Sequence, residues 1–360
     1  MEKLVMKNKL QNFYKDKKVF VTGHTGFKGS WLCEILLGLG AEVYGYALAP
    51  DTDPNHFTIL GLSSRMESEI ADIRHRETLQ DAVLDFQPDY IFHLAAQPLV
   101  RRSYSIPAET FDTNVTGTAN LLEALTRLSK KCAVVVVTTD KVYENNETGK
   151  SFLESDRLGG YDPYSASKAC TELVVQSFRL SFFNDGDFSK HKKIIGSARA
   201  GNVIGGGDFS EDRLVPDVIK TISGGKMLKL RFPDSVRPWQ HVLEPLCGYL
   251  FWGGLMYTGE KALAESINFG PEENDHLSVQ EVVESAIKYF GKGSWEKDTA
   301  ENHHEAGLLK LNISLAKKVL NWHPKMNSKE AIQKSLEWYS TPDEEKAQKT
   351  REQIDQYLSA

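Results

Sequence analysis

Tyr164 and Lys168 stand four residues apart in the run Tyr164-Ser-Ala-Ser-Lys168. On a helix that spacing puts both side chains on one face. A lysine cation near a phenol lowers its pKa, so Tyr164 could accept or return a proton near neutral pH. Lys168 could also hold ribose hydroxyls. A second group precedes them in Thr138-Thr-Asp-Lys-Val-Tyr143. Thr139 could hydrogen-bond a sugar hydroxyl beside Tyr164, and Asp140 and Lys141 set an acid and a base side by side. In isolation that pair reads more simply as a capping aspartate and a solvent-facing lysine.

A third feature says what such groups could work with. Thr22-Gly-His-Thr-Gly-Phe-Lys-Gly29 joins an apolar, β-branched run to a helical one. Gly23, Gly26 and Gly29 permit a tight turn, close approach of backbone to a pyrophosphate, and close helix–strand packing. The helix N-terminus adds free N–H donors and a positive dipole end. The spacing is G-x-x-G-x-x-G rather than the commoner G-x-G-x-x-G, and its place directly after a strand strengthens it. Together with YxxxK it points to a nicotinamide dinucleotide. The acidic residue that selects NAD at the end of the second strand is missing from Tyr46-Ala-Leu-Ala-Pro-Asp51, and no arginine stands ready for a 2′-phosphate. That position leaves NAD and NADP both open. Asp72-Ile73, after the third strand, suits an adenine-edge contact or a surface turn.

These groups need a scaffold. Lys18–Thr22, Glu42–Ala47, Met66–Ile70, Tyr90–Leu94 and Ala133–Thr138 read as strands, with Lys193–Ala198 as a sixth. Several are continuously apolar, which means burial on both faces and a parallel sheet covered by helices. Alternation with helical runs, the first over Gly29–Leu39, predicts an α/β, doubly wound Rossmann fold. Beyond Ala200 glycines and prolines interrupt the pattern, and helices follow over Val215–Ser223, Leu243–Tyr257 and Val279–Phe290. We divide the chain into a dinucleotide-binding domain (1–200), a smaller α/β substrate lobe (201–340, with some chain crossing back) and an exposed C-terminal helix (341–360).

The 360 residues carry a net charge of −6, which argues against nucleic acid as partner. The basic cluster Lys3, Lys7, Lys9, Lys15, Lys17 and Lys18 reads as a solvated segment leading into the first strand. Cys33, Cys132, Cys170 and Cys247 form no CxxC pair, so neither a metal site nor a disulfide framework is expected. Cys33, Cys132 and Cys170 sit in apolar patterns and read as core thiols. No apolar run is long enough to span a bilayer or to resemble a signal peptide, so a soluble cytoplasmic protein is expected.

Taken together, TGHTGFKGSW (22–31), HLAAQPLVR (93–101), NVTGT (114–118), TTDKVY (138–143), GGYDPYSASK (159–168), RAGNVIGGGD (199–208), RPWQHVLEP (237–245), NFGP (268–271) and HEAGLLKL (304–311) resemble the nucleotide-sugar dehydratase branch of the extended short-chain dehydrogenase/reductase family. The resemblance runs from about Lys17 to Pro324. It implies an NAD-dependent cycle: oxidation at C4 of a hexose, loss of water across C5 and C6, and return of the hydride to C6. Tyr164, Lys168, Thr139, Asp140 and Lys141 would be the catalytic residues. Related dTDP-glucose dehydratases carry an Asp-Glu pair where this chain has Asp140-Lys141, so Lys141 is either the C5 base or a stabiliser of the enolate. Cofactor contacts carry over to Gly23, Thr25, Gly26, Phe27 and Gly29, to Asp72 and Ile73, to Leu94, Ala95 and Ala96, and to Thr138, Tyr164 and Lys168. Asn202, Arg213, Leu214, Val215, Arg237 and Asn268 would line the sugar-nucleotide site, with Arg237 matching a diphosphate. The resemblance also implies a homodimer or tetramer built on the helices beginning near Asn114 and Tyr164. There Leu121, Leu122 and Leu125, with Leu173 and Val174, serve either an interface or the core. A 4-epimerase on the same scaffold needs no elimination pair, and a non-catalytic dinucleotide-binding protein needs neither Tyr164 nor Lys168.

Overall fold

The computed structural model describes residues 5–259, 261–298 and 309–360. Lys3 of the basic cluster and most of the HEAGLLKL run lie outside the described residues. Seven parallel strands form the main sheet: β1 (Lys18–Thr22), β2 (Glu42–Ala47), β3 (Glu67–Ile70), β4 (Tyr90–His93), β5 (Cys132–Val137), β6 (Lys193–Ala200) and β7 (Ser266–Phe269). Their order is β7-β6-β5-β4-β1-β2-β3. The order reverses between β1 and β4, and the crevice outside the carboxyl ends of the strands at such a point is where α/β folds bind ligands. Every residue of β5 and β6 is buried; β5 accordingly reads as an unbroken apolar run, whereas β6 buries Lys193, Ser197 and Arg199 among its apolar residues.

The longer helices are α1 (Val5–Tyr14), α2 (Phe27–Gly38), α3 (Arg76–Phe86), α4 (Gly117–Arg127), α5 (Pro163–Ser181), α6 (Leu214–Ser223), α7 (Leu243–Gly259), α8 (Val279–Phe290), α9 (Ser328–Ser340) and α10 (Lys346–Ser359). One apolar core packs α2 and α7 on one sheet face, and another packs α3, α4 and α5 on the other. A smaller core gathers α6, α8 and α9, around Val218, Val283, Ile332 and Leu336. The strand absent from the sequence reading is β7, which pairs with β6 from Ser266 opposite Ser197 to Phe269 opposite Ala200. Its run Ser-Ile-Asn-Phe sets polar and apolar residues in turn within a loop-rich stretch and lacks an unbroken apolar signal.

Both chain ends depart from expectation. The N-terminal segment is a helix whose lysines leave one face to Leu10 and Tyr14, both fully buried, and the Tyr14 hydroxyl donates to Leu250 O at 2.6 Å. The C-terminal helix is docked rather than exposed. Ile354, Tyr357 and Leu358 recur at helical spacing and are buried in the α2–α7 core. Lys7 and Asp355 join the two ends at 2.9 Å. Leu121, Leu122 and Leu125 belong to the core, whereas Leu173 is 54% exposed. Cys33 and Cys132 are buried, but Cys170 only partly. No helix among the described residues is long and apolar enough to cross a membrane, and no group of three or more His, Cys, Asp or Glu among them could hold a metal ion.

Candidate active site

The crevice at the β1–β4 switch begins with the glycine turn. Gly23 adopts φ +77°, and a Cβ there would lie 2.7 Å from Ala95 N. At Gly29 a Cβ would lie 2.0 Å from Gly23 O, so the turn and the helix can close only without side chains. Gly26 differs, because a Cβ there would meet nothing nearer than Gly23 O at 3.5 Å. Its α-carbon faces open space at the head of α2, whose first turn holds no acidic residue to compete for the free N–H groups. That geometry fits a dinucleotide pyrophosphate. Phe27 opens the helix, and the Thr25 hydroxyl donates to Leu48 O at 2.8 Å, fixing the turn to the chain after β2.

Across the turn, the β4 end is set by a relay. Thr22 Oγ1 lies 2.7 Å from His93 Nδ1 and accepts from Ala95 N at 3.2 Å, while His93 Nε2 meets Thr118 Oγ1 at 2.9 Å. Burial holds the His93 ring neutral, with its pKa down at about 3. Leu94, Ala95 and Ala96 are thereby presented, half-buried, beside the turn. Asp72 has its carboxylate engaged: Arg74 donates to it through its main chain at 2.9 Å and its guanidinium at 2.6 Å. Ile73 is core, and a Cβ on Gly117 would sit 2.5 Å from its Cδ1.

The residues expected to handle protons converge at the end of β5. Asp162 caps α5 by accepting from Ser165 N at 2.9 Å, and Pro163 occupies the first turn, so Tyr164 and Lys168 share the helix face against β5. Ser103 Oγ accepts from Tyr164 N at 3.2 Å. Lys168 Nζ donates to Val137 O at 3.1 Å. Thr139 donates to Asp140 Oδ1 at 3.0 Å and lies beside the Tyr164 phenol. Burial pushes that phenol up to about 12; Arg213 and Thr139 pull it down, and Asp140 pushes it up further. The cation relieving Tyr164 in this arrangement is therefore Arg213, while burial takes Lys168 itself down to about 8 against the opposing pull of Glu172.

Asp140 is 1% exposed, and its Oδ2 has no hydrogen-bond partner among the described residues. A Cβ on Gly201 would lie 2.8 Å from that oxygen. An unpaired buried carboxylate oxygen is costly and marks a position held for function. Lys141 is half-buried, with Nζ 3.6 Å from Asp140 Oδ1. Thr138 turns its hydroxyl inward, donating to Glu172 Oε1 at 2.5 Å.

The other side of the crevice is looser. Arg213 is exposed, and its guanidinium donates to Pro98 O at 3.1 Å. Leu214 and Val215 start α6 and pack into the smaller core. Asn202 lies just past β6, its carbonyl accepting from Gln240 N at 3.0 Å. Arg237 is 8% exposed and donates to Val236 O. Asn268 is wholly buried: its amide nitrogen donates to Phe152 O at 2.9 Å and its oxygen accepts from Tyr143. It acts as a latch under the site.

Lys28 escaped the sequence reading. Half-buried at the second position of α2, it feels the charges of Arg213, Lys168, Asp140 and Asp208. Burial, then Arg213 and Lys168, bring it down to about 7, against the pull of Asp140 and Asp208. A cation in the first turn opposes the helix dipole. That broken local rule was a readable sign of function.

The sequence model of the GDP-mannose 4,6-dehydratase family matches residues 20–335. The chain is 44% identical over 353 residues to the CDP-glucose 4,6-dehydratase of Salmonella typhimurium, covering 97% of this chain and 98% of that one. Among solved structures it resembles the dTDP-glucose 4,6-dehydratase of Bacillus anthracis in complex with NAD, with a TM-score of 0.74 and 25% identity, covering 90% of this chain and 96% of that one. The dTDP-glucose 4,6-dehydratase of Streptomyces venezuelae shares the fold at TM-score 0.76 and 24% identity, over 89% and 96% of the two chains.

Proposed function

This chain belongs to the GDP-mannose 4,6-dehydratase family, and from that premise we propose that it is an NAD-dependent hydro-lyase converting CDP-glucose to CDP-4-keto-6-deoxyglucose, a step of deoxysugar biosynthesis for surface polysaccharide. The observation that carries this reading is the buried Asp140 with its orphan oxygen, flanked by Lys141 and hydrogen-bonded to the same Thr139 that touches Tyr164. The near-full-length identity to a CDP-glucose dehydratase supports the choice of nucleotide.

The glycine turn, the head of α2 and the β4 end would hold the dinucleotide. When bound, NAD supplies acceptance of the C4 hydride and its later return to C6. The chain's own residues move the protons. Tyr164 takes the C4 hydroxyl proton, with Thr139 orienting that hydroxyl. A ketone at C4 acidifies the hydrogen on C5. With the pair in its neutral form, the Lys141 amine removes that proton while the Asp140 carboxylic acid protonates the departing C6 hydroxyl. The Lys141 ammonium gives its proton back to C5 as the hydride returns to C6. Lys168 stays beneath Tyr164, anchored on Val137 O, to hold ribose hydroxyls, while Arg213 favours the phenolate. Arg213 and Arg237 meet the diphosphate, where guanidinium forks match phosphate oxygens.

The finer setting goes with this reading: a cytoplasmic enzyme assembling as a homodimer or tetramer. Supporting the assembly, Leu173 and Leu180 stand 54% and 62% exposed on α5, with Phe111 36% exposed nearby in the chain leading to α4.

A panel of CDP-, dTDP-, GDP- and UDP-hexoses tests the reading. CDP-glucose should give a 4-keto-6-deoxy product that absorbs in alkali. A product inverted only at C4 would make the protein an epimerase, and a preference for another nucleotide would overturn the substrate.

A further inference from the structure

Beneath the reaction centre lies a buried charge pair with no part in the chemistry above. Glu172 follows Lys168 by one turn of α5 and is 5% exposed; Arg199, in β6, is 4% exposed. Arg199 grips the carboxylate with both prongs, Nη2 to Oε2 at 2.8 Å and Nε to Oε1 at 3.0 Å. Glu172 Oε2 also accepts from Ser197 Oγ at 2.6 Å. Arg199 Nη1 donates to the Tyr143 hydroxyl at 2.9 Å, which donates onward to Asn268 Oδ1 at 2.7 Å. Burial pushes the Glu172 carboxyl up, but these donors more than reverse it, and it stays ionised.

A buried ion pair is a weak explanation of stability, because desolvation roughly cancels the attraction and an apolar replacement would often serve as well. What this pair touches gives another reason. Its contacts tie α5 to β5, β6 and β7, and one of them is the hydroxyl of Thr138, the residue before Thr139 and Asp140. Thr138 is thus pinned twice, through its side chain to Glu172 and through its N–H to Ala198 O at 2.8 Å.

We propose that the Glu172–Arg199 pair is a positioning device for the reaction centre, fixing the end of β5 through Thr138 and setting negative charge beneath Lys168. Glu172 is the counter-charge to Lys168 on its own helix. From other elements, Lys28 of α2 and the neutral His93 of β4 face the same ammonium. Glu172 favours the charged form of Lys168 against burial.

The turnover part of the test rests on the dehydratase reading; a second readout does not. Thr138→Val keeps shape and leaves the ion pair whole, cutting only its link to β5. The holoenzyme variant should lose about thirtyfold in kcat with KM within about twofold, since small displacements of reacting groups cost that much. Thr138→Ser, which restores the hydroxyl, should recover to within about threefold of the native rate. Amide hydrogen exchange over residues 139–142 should quicken about tenfold in the valine variant without any substrate present. In Glu172→Gln, Lys168 should deprotonate more readily, moving the alkaline limb of the kcat profile down by about one pH unit. Should that variant not fold, with Arg199 left unpaired, the Thr138 variants decide alone. Unchanged exchange with kcat within twofold in Thr138→Val would overturn the proposal. So would a serine variant as slow as the valine one, or an unmoved alkaline limb in folded Glu172→Gln. If the native enzyme made no keto sugar from CDP-glucose, the dehydratase reading would fall while the exchange result still judged this inference.

Discussion

On the β5 side of the crevice, Thr139, Asp140, Tyr164 and Lys168 are each less than one-tenth exposed and rest on a helix and a strand end tied together by buried hydrogen bonds. On the opposite side, Arg213 is exposed, and neighbouring Arg101 and Arg231 share Asp212 at 2.6 and 3.8 Å in partly solvated ion pairs. Surface pairs of this kind contribute little to stability. The contrast separates two tasks. Proton transfer needs groups fixed within a fraction of an ångström, so they sit on packed elements. Phosphate recognition needs charge and reach, the task the proposed function gives to the solvated Arg213.

The largest expected effect breaks the chemical side alone. Tyr164→Phe should lower kcat about a thousandfold, the upper part of what a positioned acid–base contributes, while the variant keeps its cofactor and melting temperature. Retained turnover, followed as keto-sugar formation, would remove the phenol from its role. Asp140→Asn should slow product formation about a hundredfold yet leave C4 oxidation running, so reduced nicotinamide should build up during turnover and be seen by its absorbance. Equal loss of both signals would assign Asp140 to structure instead.

The recognition side should fail differently. Arg213→Ala should raise KM about tenfold, the value of one charge-assisted phosphate contact, with a smaller change in kcat. Because Arg213 also lowers the Tyr164 phenol, the acidic limb of the kcat profile should move to higher pH. A KM left unchanged would show that the two sides are not divided as described.

The smallest effect lies away from both sides. Glu244, at the head of α7, accepts from Lys325 N at 2.9 Å, Met326 N at 2.7 Å and the Tyr357 hydroxyl at 2.8 Å. Burial nonetheless raises its carboxyl to about 7, above the unfolded value. Its protonated form therefore favours the fold: the contribution is fully present below the unfolded pKa and fades as pH rises through about 7. Melting temperature should fall by a few degrees between pH 5 and pH 8, and Glu244→Gln should flatten that slope. A slope unchanged in the variant would place the titrating group elsewhere.

These regions were unequally legible in the sequence. The sheet was readable because β5 is continuously apolar and β1, β2, β4 and β6 each carry a short β-branched or aromatic run, and the shared face of α5 because Tyr164 and Lys168 lie one helical turn apart. The contacts of Thr138 and Glu172 were not, since they depend on Arg199 arriving from a strand some 30 residues later and pointing inward. Asn268 was expected to line the crevice, yet its side chain is enclosed, because β7 joins the sheet and leaves it among Phe152, Tyr143 and Asn312. The docked tail escaped because the stripe of Ile354, Tyr357 and Leu358 is narrow among charged neighbours, and only the partner surface on α2 and α7 shows what it is for.

In the proposed reaction Tyr164, Asp140 and Lys141 work as one set to dehydrate a hexose rather than oxidise it outright. Turnover of CDP-glucose carrying deuterium at C4, followed by NMR of the product, tests this most directly. The expected product is a 4-keto-6-deoxy sugar with the deuterium at C6 and no net change in cofactor. Deuterium retained at C4 of an inverted sugar, or a free reduced cofactor formed in step with product, would contradict it.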